Sequence, residues 1–314
     1  MIYTPICEML GIKYPIFQGG MAHISDAELA AAVSEGGGLG IITAASGNVA
    51  YVEEQIDKCA GLTDKPFGVN VMLRGQNIEE IAELLAKKRV AVVTTGAGNP
   101  DRYIPMWKEA GIKVIPVVAS ASLAKLAARA GADAVVAEGG ESGGHVGDLT
   151  TMALVPQVCD AVDIPVIAAG GIADGRGLAA AFMLGAEGIQ VGTRFLAALE
   201  CNISRVYKDK VLKANDTSTI VTGKRLGHPV RSLKSPFSRA YAKAEYTQIS
   251  DEELENMAVG TLRAAVCDGD EKKGCFLAGQ ISGLVNREQK ASEMIKEIFD
   301  EAEVILNGAK KWVK

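Results

Sequence analysis

Residues Pro165–Thr193 read PVIAAGGIADGRGLAAAFMLGAEGIQVGT. A continuous apolar run ends in two glycines, Asp174 opens a segment with apolar residues three and four apart, Gly185 closes it, and a second apolar run again ends in glycine. That is the pattern of a strand, a tight turn, a helix with an acidic start and a glycine stop, and a second buried strand. Both strands are apolar throughout rather than alternating, as a parallel sheet packed on both faces requires.

The unit repeats in both directions. Eight strands are predicted, at Pro15–Gln18, Gly38–Thr43, Phe67–Met72, Val90–Thr95, Lys113–Val118, Ala134–Glu138, Pro165–Ala169 and Gly188–Gly192. Between them lie helical segments at Asp26–Glu35, Val49–Ala60, Ile78–Lys88, Pro100–Ala110, Ser120–Ala130, Thr150–Val162 and Gly175–Leu184. Eight such units in about 200 residues fit an α/β fold of the (β/α)8 TIM-barrel type. A doubly wound open sheet gives a similar string, but eight is the closing number and the alternation is uninterrupted. The expected organisation is a barrel over residues 1–200. Residues 201–314 would then hold an eighth barrel helix at Asn202–Ala214, a mostly helical cap with a helix at Asp251–Val266, and a C-terminal helix from about Lys290 to Leu306 that packs on the barrel.

The 314-residue chain carries a formal net charge of −5 and no long basic run, which argues against a nucleic-acid partner. Six cysteines are scattered without a Cys-x-x-Cys pair or a histidine cluster, so neither a zinc site nor a disulfide framework is indicated. No basic start precedes an apolar stretch and no apolar run approaches the length of a span, so the expectation is a cytoplasmic protein without a membrane partner. Thirty-five glycines beside 5% aromatic residues point to tight turns or to backbone passing close to a ligand.

In a barrel of this type the chemistry lies where strands end, and phosphate commonly binds after the seventh and eighth strands. Those ends here are Gly170-Gly171 and Gln190-Val191-Gly192-Thr193, whose backbone N–H groups and one hydroxyl suit an anion. Asn70 stands inside a buried strand, where an amide must find a partner. Glu138 ends the sixth strand and leads into Gly139–Gly147, five glycines around one histidine. His145 is the best candidate for proton transfer of the three histidines. His23 is a second candidate to face the site, and His228, before Pro229, reads as a cap or turn residue. Two motifs are weighed and set aside. Gly140-Glu-Ser142-Gly-Gly144 matches a nucleophile elbow, but no sharp strand-to-helix turn follows the serine. Gly175-Arg-Gly177-Leu-Ala-Ala180 matches a loose dinucleotide pattern, but it is separated from its strand and no acidic residue follows at the required distance.

Seven blocks taken together say more. They are Pro15–Met21, Gly68–Met72, Thr94–Gly98, Glu138–Gly147, Ala168–Gly175, Gln190–Phe195 and Ala278–Gly283. In this order they closely resemble the flavin-dependent enoyl-(acyl-carrier-protein) reductases of the FabK type, within the nitronate monooxygenase (2-nitropropane dioxygenase) family. The resemblance covers essentially the whole chain. It implies an FMN-containing barrel that reduces the 2,3 double bond of trans-2-enoyl-acyl-carrier protein with NADH or NADPH, the last step of bacterial fatty-acid elongation, by ping-pong hydride transfer through flavin N5. It implies that Gly20, Met21, Asn70, Glu138 and Gly143 line the flavin. Gly170, Gly171, Gln190, Val191, Gly192 and Thr193 would hold its phosphate end, and His145 would be catalytic. It further implies acyl-carrier protein as partner, a homodimer, and a hint of a monovalent cation. The alternative within the family is oxidation of alkyl nitronates with O2. Gly140 departs from the resemblance, which leads one to expect methionine there, and glycine at that position is expected to loosen the loop that carries His145.

Overall fold

The computed structural model describes residues 2–312; residues 1, 313 and 314, at the outer edges of the two expected spans, lie outside them. Eleven strands occur among the described residues, numbered here in chain order: β1 Ile16–Gln18, β2 Gly40–Thr43, β3 Phe67–Met72, β4 Val92–Gly96, β5 Lys113–Val118, β6 Val135–Glu138, β7 Gly144–His145, β8 Val166–Ala169, β9 Gly188–Val191, β10 Thr219–Thr222 and β11 Val230–Leu233. Eight of them form one parallel sheet in the order β1-β9-β8-β6-β5-β4-β3-β2. Its edges join by a parallel bridge between Phe17 and Leu39, with Leu39 N–H donating to the Ile16 carbonyl at 2.9 Å and Gln18 N–H to the Leu39 carbonyl at 3.0 Å. The sheet is therefore a closed (β/α)8 barrel, and each of the eight expected strands supplies one stave.

The local chemistry explains the alternation. Asp26, Asn48, Ser120 and Asp174 each accept a hydrogen bond from the first turn of the helix they precede, an N-cap worth about 1 kcal/mol apiece. Gly131 (φ +98) and Gly185 (φ +99) occupy the left-handed region just past helix ends, which only glycine takes without strain. One segment starts later than expected: residues Pro100–Tyr103 make a turn and the helix is Ile104–Glu109.

The barrel interior is packed by Phe17, Leu39, Ile41, Val92, Ile115, Val136 and Ile167. A short helix that the sequence reading did not contain, Pro5–Leu10, contributes Ile6 and Leu10 to this same cluster and plugs the end where the strands begin. The chemistry is left to the opposite end.

The outer ring has a different eighth member from the expected one. Ala291–Gly308 packs between the helices Gly175–Met183 and Ala27–Glu35 and so closes the ring. A Cβ at Gly175 would stand 2.4 Å from the Ala302 nitrogen, so the two helices meet backbone to backbone. The segment read as the eighth helix, observed as Arg205–Leu212, packs instead on the turns Thr193–Ala197 and Gln280–Leu284. Strand-to-helix alternation assumes that the next helix in sequence fills the next slot, and here a distant one with the better apolar face does.

The cap is mostly helical, but it also holds strands that the sequence reading did not contain. β10 and β11 form an antiparallel hairpin, and β11 pairs in turn with β7 of the barrel loop. The single helix expected at Asp251–Val266 is broken at Gly260 (φ +74) after Ala258. Among the described residues no helix is long and apolar enough to cross a membrane.

Candidate active site

The register of the barrel assembles a row of polar side chains at the ends of the strands. Asn70 pairs with Thr94 across β3 and β4, and the Asn70 amide donates to the Thr94 hydroxyl at 2.9 Å. Glu138 pairs with Ala169, and Ala169 with Gln190. Paired residues of parallel strands point to the same side, so Glu138 and Gln190 flank a small alanine one layer above the buried Val136 and Ile167. Neither the Glu138 carboxyl nor the Gln190 amide makes a hydrogen bond with another described residue. Unsatisfied polar groups in a nearly dry site are costly unless something binds there. Burial pushes the Glu138 carboxyl up to about 7, with no charged neighbour contributing. It is partly accessible from the mouth and enclosed elsewhere.

The floor between these groups is kept low by glycine. A Cβ on Gly20 would lie 2.4 Å from the Asn70 Cβ, so any side chain there would displace the amide. A Cβ on Gly19 would meet the Gln190 side chain at 3.4 Å, and one on Gly192 the Met21 sulfur at 3.6 Å. Met21 is fixed in turn by its N–H, which donates to the Ser25 hydroxyl at 2.8 Å. Val191 contributes only backbone, since its side chain is buried in the helix layer with Ile189.

The anion side follows from two consecutive left-handed residues, Gly170 (φ +88) and Gly171 (φ +72). A Cβ on Gly170 would meet the Gly139 carbonyl at 2.8 Å, whereas Gly171 faces nothing nearer than Glu141 at 3.6 Å. The N–H groups of Gly171, Gly192 and Thr193 have no partner among the described residues. The Thr193 hydroxyl accepts from the Gly279 N–H at 2.8 Å, which leaves its own proton to donate. Three free amides and a hydroxyl at adjacent strand ends make an anion cradle.

The loop from β6 is tied down at both ends. The Glu141 carboxylate accepts both the N–H and the hydroxyl of Thr151, at 2.9 to 3.0 Å, and so caps the helix Thr151–Cys159. The Thr151 hydroxyl also lies 3.0 Å from the Gly170 carbonyl. A Cβ on Gly143 would lie 2.6 Å from the Ala278 carbonyl carbon, because the segment 278–280 crosses directly over it. Tyr207 supports that segment from below, its hydroxyl donating to the Leu277 carbonyl at 2.6 Å. Gly140 does not loosen the loop as expected. Its N–H donates to the Leu149 carbonyl at 2.7 Å, and its own carbonyl accepts from Arg231 Nη2 at 2.9 Å and Nε at 3.2 Å. A side chain at 140 would press on the Gly147 carbonyl at 2.8 Å.

His145 stands exposed in the mouth on β7, paired with Val230 of β11. The surrounding walls, and then the charge of His228, hold its imidazole below the usual histidine range. Ser142 lies in a turn, its hydroxyl buried and unpartnered, and no elbow forms. His23 is exposed in a left-handed turn (φ +62) ahead of the first barrel helix.

Every predicted site residue thus lies at the C-terminal end of the barrel. Thr94, Glu141, Thr151, Tyr207 and Arg231 were missed, because each acts on a neighbour that is distant in sequence. A groove of about 580 Å³ between the loops after β3 and β4 holds none of the predicted residues. The unpartnered polar groups, rather than volume, mark the site.

The family model for nitronate monooxygenase matches residues 4–87 and 73–301. The chain is 47% identical to FabK from Thermotoga maritima over 100% of both chains, with a TM-score of 0.97. It is 33% identical to a (3aS,4S,5R,7aS)-5-hydroxy-7a-methyl-1-oxo-octahydro-1H-indene-4-carboxyl-CoA dehydrogenase of Mycobacterium tuberculosis, over 99% of each chain. Its likeness to a nitroalkane oxidase of Streptomyces ansochromogenes is 29% identity over 97% of this chain and 99% of that one, with a TM-score of 0.87.

Proposed function

The chain belongs to the nitronate monooxygenase family, and within it we propose that it is the FMN-dependent reductase of trans-2-enoyl-acyl-carrier protein, using NADH or NADPH. The observation that carries this reading is the full-length likeness to FabK, far above that to the nitroalkane oxidase.

The residues present fit FMN. The free amides of Gly171, Gly192 and Thr193 suit its phosphate, the glycine floor admits a flat ring, and Glu138 and Gln190 offer unsatisfied groups to a polar ring edge. Gly20, Met21, Asn70, Glu138, Gly143, Gly170, Gly171, Gln190, Val191, Gly192 and Thr193 are the proposed cofactor contacts. FMN supplies the two-electron exchange between the nicotinamide and the enoyl chain, chemistry no side chain can perform.

The chain's own residues do the rest. Gly20 leaves room for the Asn70 amide at the floor of the site, and Gly143 lets the segment 278–280 close over the loop. Asn70, held by Thr94, would offer its remaining amide atoms to the bound ring. His145 gives a proton to the α carbon of the acyl chain once the β carbon has been reduced. The enolate oxygen of the thioester needs donors in that step, and the mouth offers the imidazole N–H and the Glu138 carboxyl, which burial biases toward its protonated form. The reading extends to acyl-carrier protein as the partner, to a homodimer at work in the cytoplasm, and to a monovalent cation that supports activity.

Purified protein is expected to be yellow, to oxidise NADH or NADPH, and to pass the electrons to crotonyl thioester. Oxygen uptake with an alkyl nitronate and no response to the enoyl thioester would give the activity to the other branch of the family.

A further inference from the structure

We propose that His228, on the cap hairpin, returns a proton to His145 after each turnover and is the positioning residue for the proton half of the reaction. This rests on the enoyl reductase reading and adds to it a residue that does not touch the substrate.

Strand register carries the inference. β7 and β11 are antiparallel, with His145 opposite Val230 and Gly144 opposite Arg231. The ladder continues one step, since the Val146 N–H donates to the Pro229 carbonyl at 3.0 Å. That bond sets the backbone of His228, next to Pro229, alongside the segment that follows His145. Residues placed so across two adjoining strands lie roughly 7–8 Å apart at the backbone, within reach of two imidazole rings or of one bridging water. Both rings are exposed at the mouth.

The His228 backbone is held in place. Its N–H donates to the Gly223 carbonyl at 3.0 Å, and Gly223 (φ +81) leaves room for the His228 carbonyl, which a Cβ there would approach to 2.4 Å. The fixed charges nearby are engaged elsewhere. Arg231 is bound to the Gly140 carbonyl and the Thr219 hydroxyl. Arg225, in the hairpin turn, is bound to the carbonyls of Thr247 and Ile249 and to Asp251. Lys224 in that turn and Asp148 beyond the loop are exposed, and neither they nor Glu138 add to the shift of the His145 imidazole, on which His228 is the one charged group that acts.

A second imidazole answers a specific need. Because the walls of the mouth disfavour the charged form of His145, its second proton is harder to regain after each turnover than that of a free histidine. When the α carbon takes that proton, a C–H bond forms, an N–H bond breaks and His145 is left neutral. The His228 imidazolium then gives a proton to the vacated ring nitrogen, directly or through the bridging water, and recovers one from solvent. No electrons move in these steps.

The test uses the FMN-loaded enzyme with His228→Asn and His228→Ala, and follows the two half-reactions separately by stopped flow. Bleaching of the flavin by NADPH should be unchanged. Its reoxidation by crotonyl thioester should slow about tenfold at pH 8 and less at pH 6, and imidazole buffer should restore it. In His228→Asn the His145 ring, followed by NMR, should titrate at higher pH once its charged neighbour is gone. Unchanged reoxidation, or a parallel loss in both half-reactions without rescue by imidazole, would overturn the proposal. A wild-type protein that fails to reoxidise with the enoyl thioester would overturn the functional reading instead.

Discussion

The two sides of the barrel mouth are built in opposite ways. On the proposed anion side, Gly171, Gly192 and Thr193 come from two consecutive strand-to-helix units and offer backbone N–H groups that barrel geometry fixes. On the histidine side, His145 is placed by pairing with Val230, which lies 85 positions further along the chain, and by Arg231, which grips the Gly140 carbonyl. A site of the first kind binds and is rigid as soon as the barrel closes. One of the second kind depends on the cap, so substitutions on the two sides should separate binding from rate.

The largest effect is expected at His145. His145→Ala should keep FMN and lose at least about a hundredfold in enoyl reduction, the usual worth of a positioned general acid. Retained activity would dissolve the distinction between the two sides.

Glu138 comes next, since it belongs to neither side and titrates. Its carboxyl binds a proton more tightly when folded, at about 7 against 4.5 for the ordinary group. Its contribution to stability is therefore full below about pH 4.5 and is lost as pH rises through about 7, a change of about 3 kcal/mol at most. Denaturant titrations of flavin-free protein should show this slope, and Glu138→Gln should flatten it. An unchanged slope in the variant would assign the titration to another group.

A smaller loss, about 1–3 kcal/mol of stability, is expected for Gly143→Ala, because the new methyl meets the backbone at Ala278 and Gly279. Thermal melts should register it, and the loss of rate should exceed the loss of FMN affinity. The smallest effect is at Thr193→Val, which removes the hydroxyl from the cradle. Flavin affinity should fall about tenfold by fluorescence titration while the rate at saturating FMN stays put. A rate loss there would mean that the anion side also orients the chemistry.

Much of this was legible in advance. The eight strands could be read because each is a short apolar run closed by a turn signal, and the glycine turns after β8 and β9 because glycines at adjacent strand ends are visible in the sequence. The cap resisted for two reasons. β10 and β11 are short and half-buried, with Thr219, Ile220 and Val221 all partly accessible, so they lack the apolar run that marked the barrel strands. The Asp251–Val266 pattern kept its helical period while Gly260 ended the helix. His228 read as a turn residue, and it is one, closing on Gly223. Its position beside His145 follows from a register no local window contains.

The sequence alone determined the barrel and set the candidate residues at the ends of its strands, because those depend on periods of two and 3.6 and on where glycine is tolerated. Only the tertiary structure decided that Ala291–Gly308 completes the ring, that the Gly140 backbone is hydrogen-bonded on both sides, and that the hairpin turn with His228 comes beside the loop with His145. Each of these is a contact between distant segments, won by the better-fitting surface among several that the same local pattern allows.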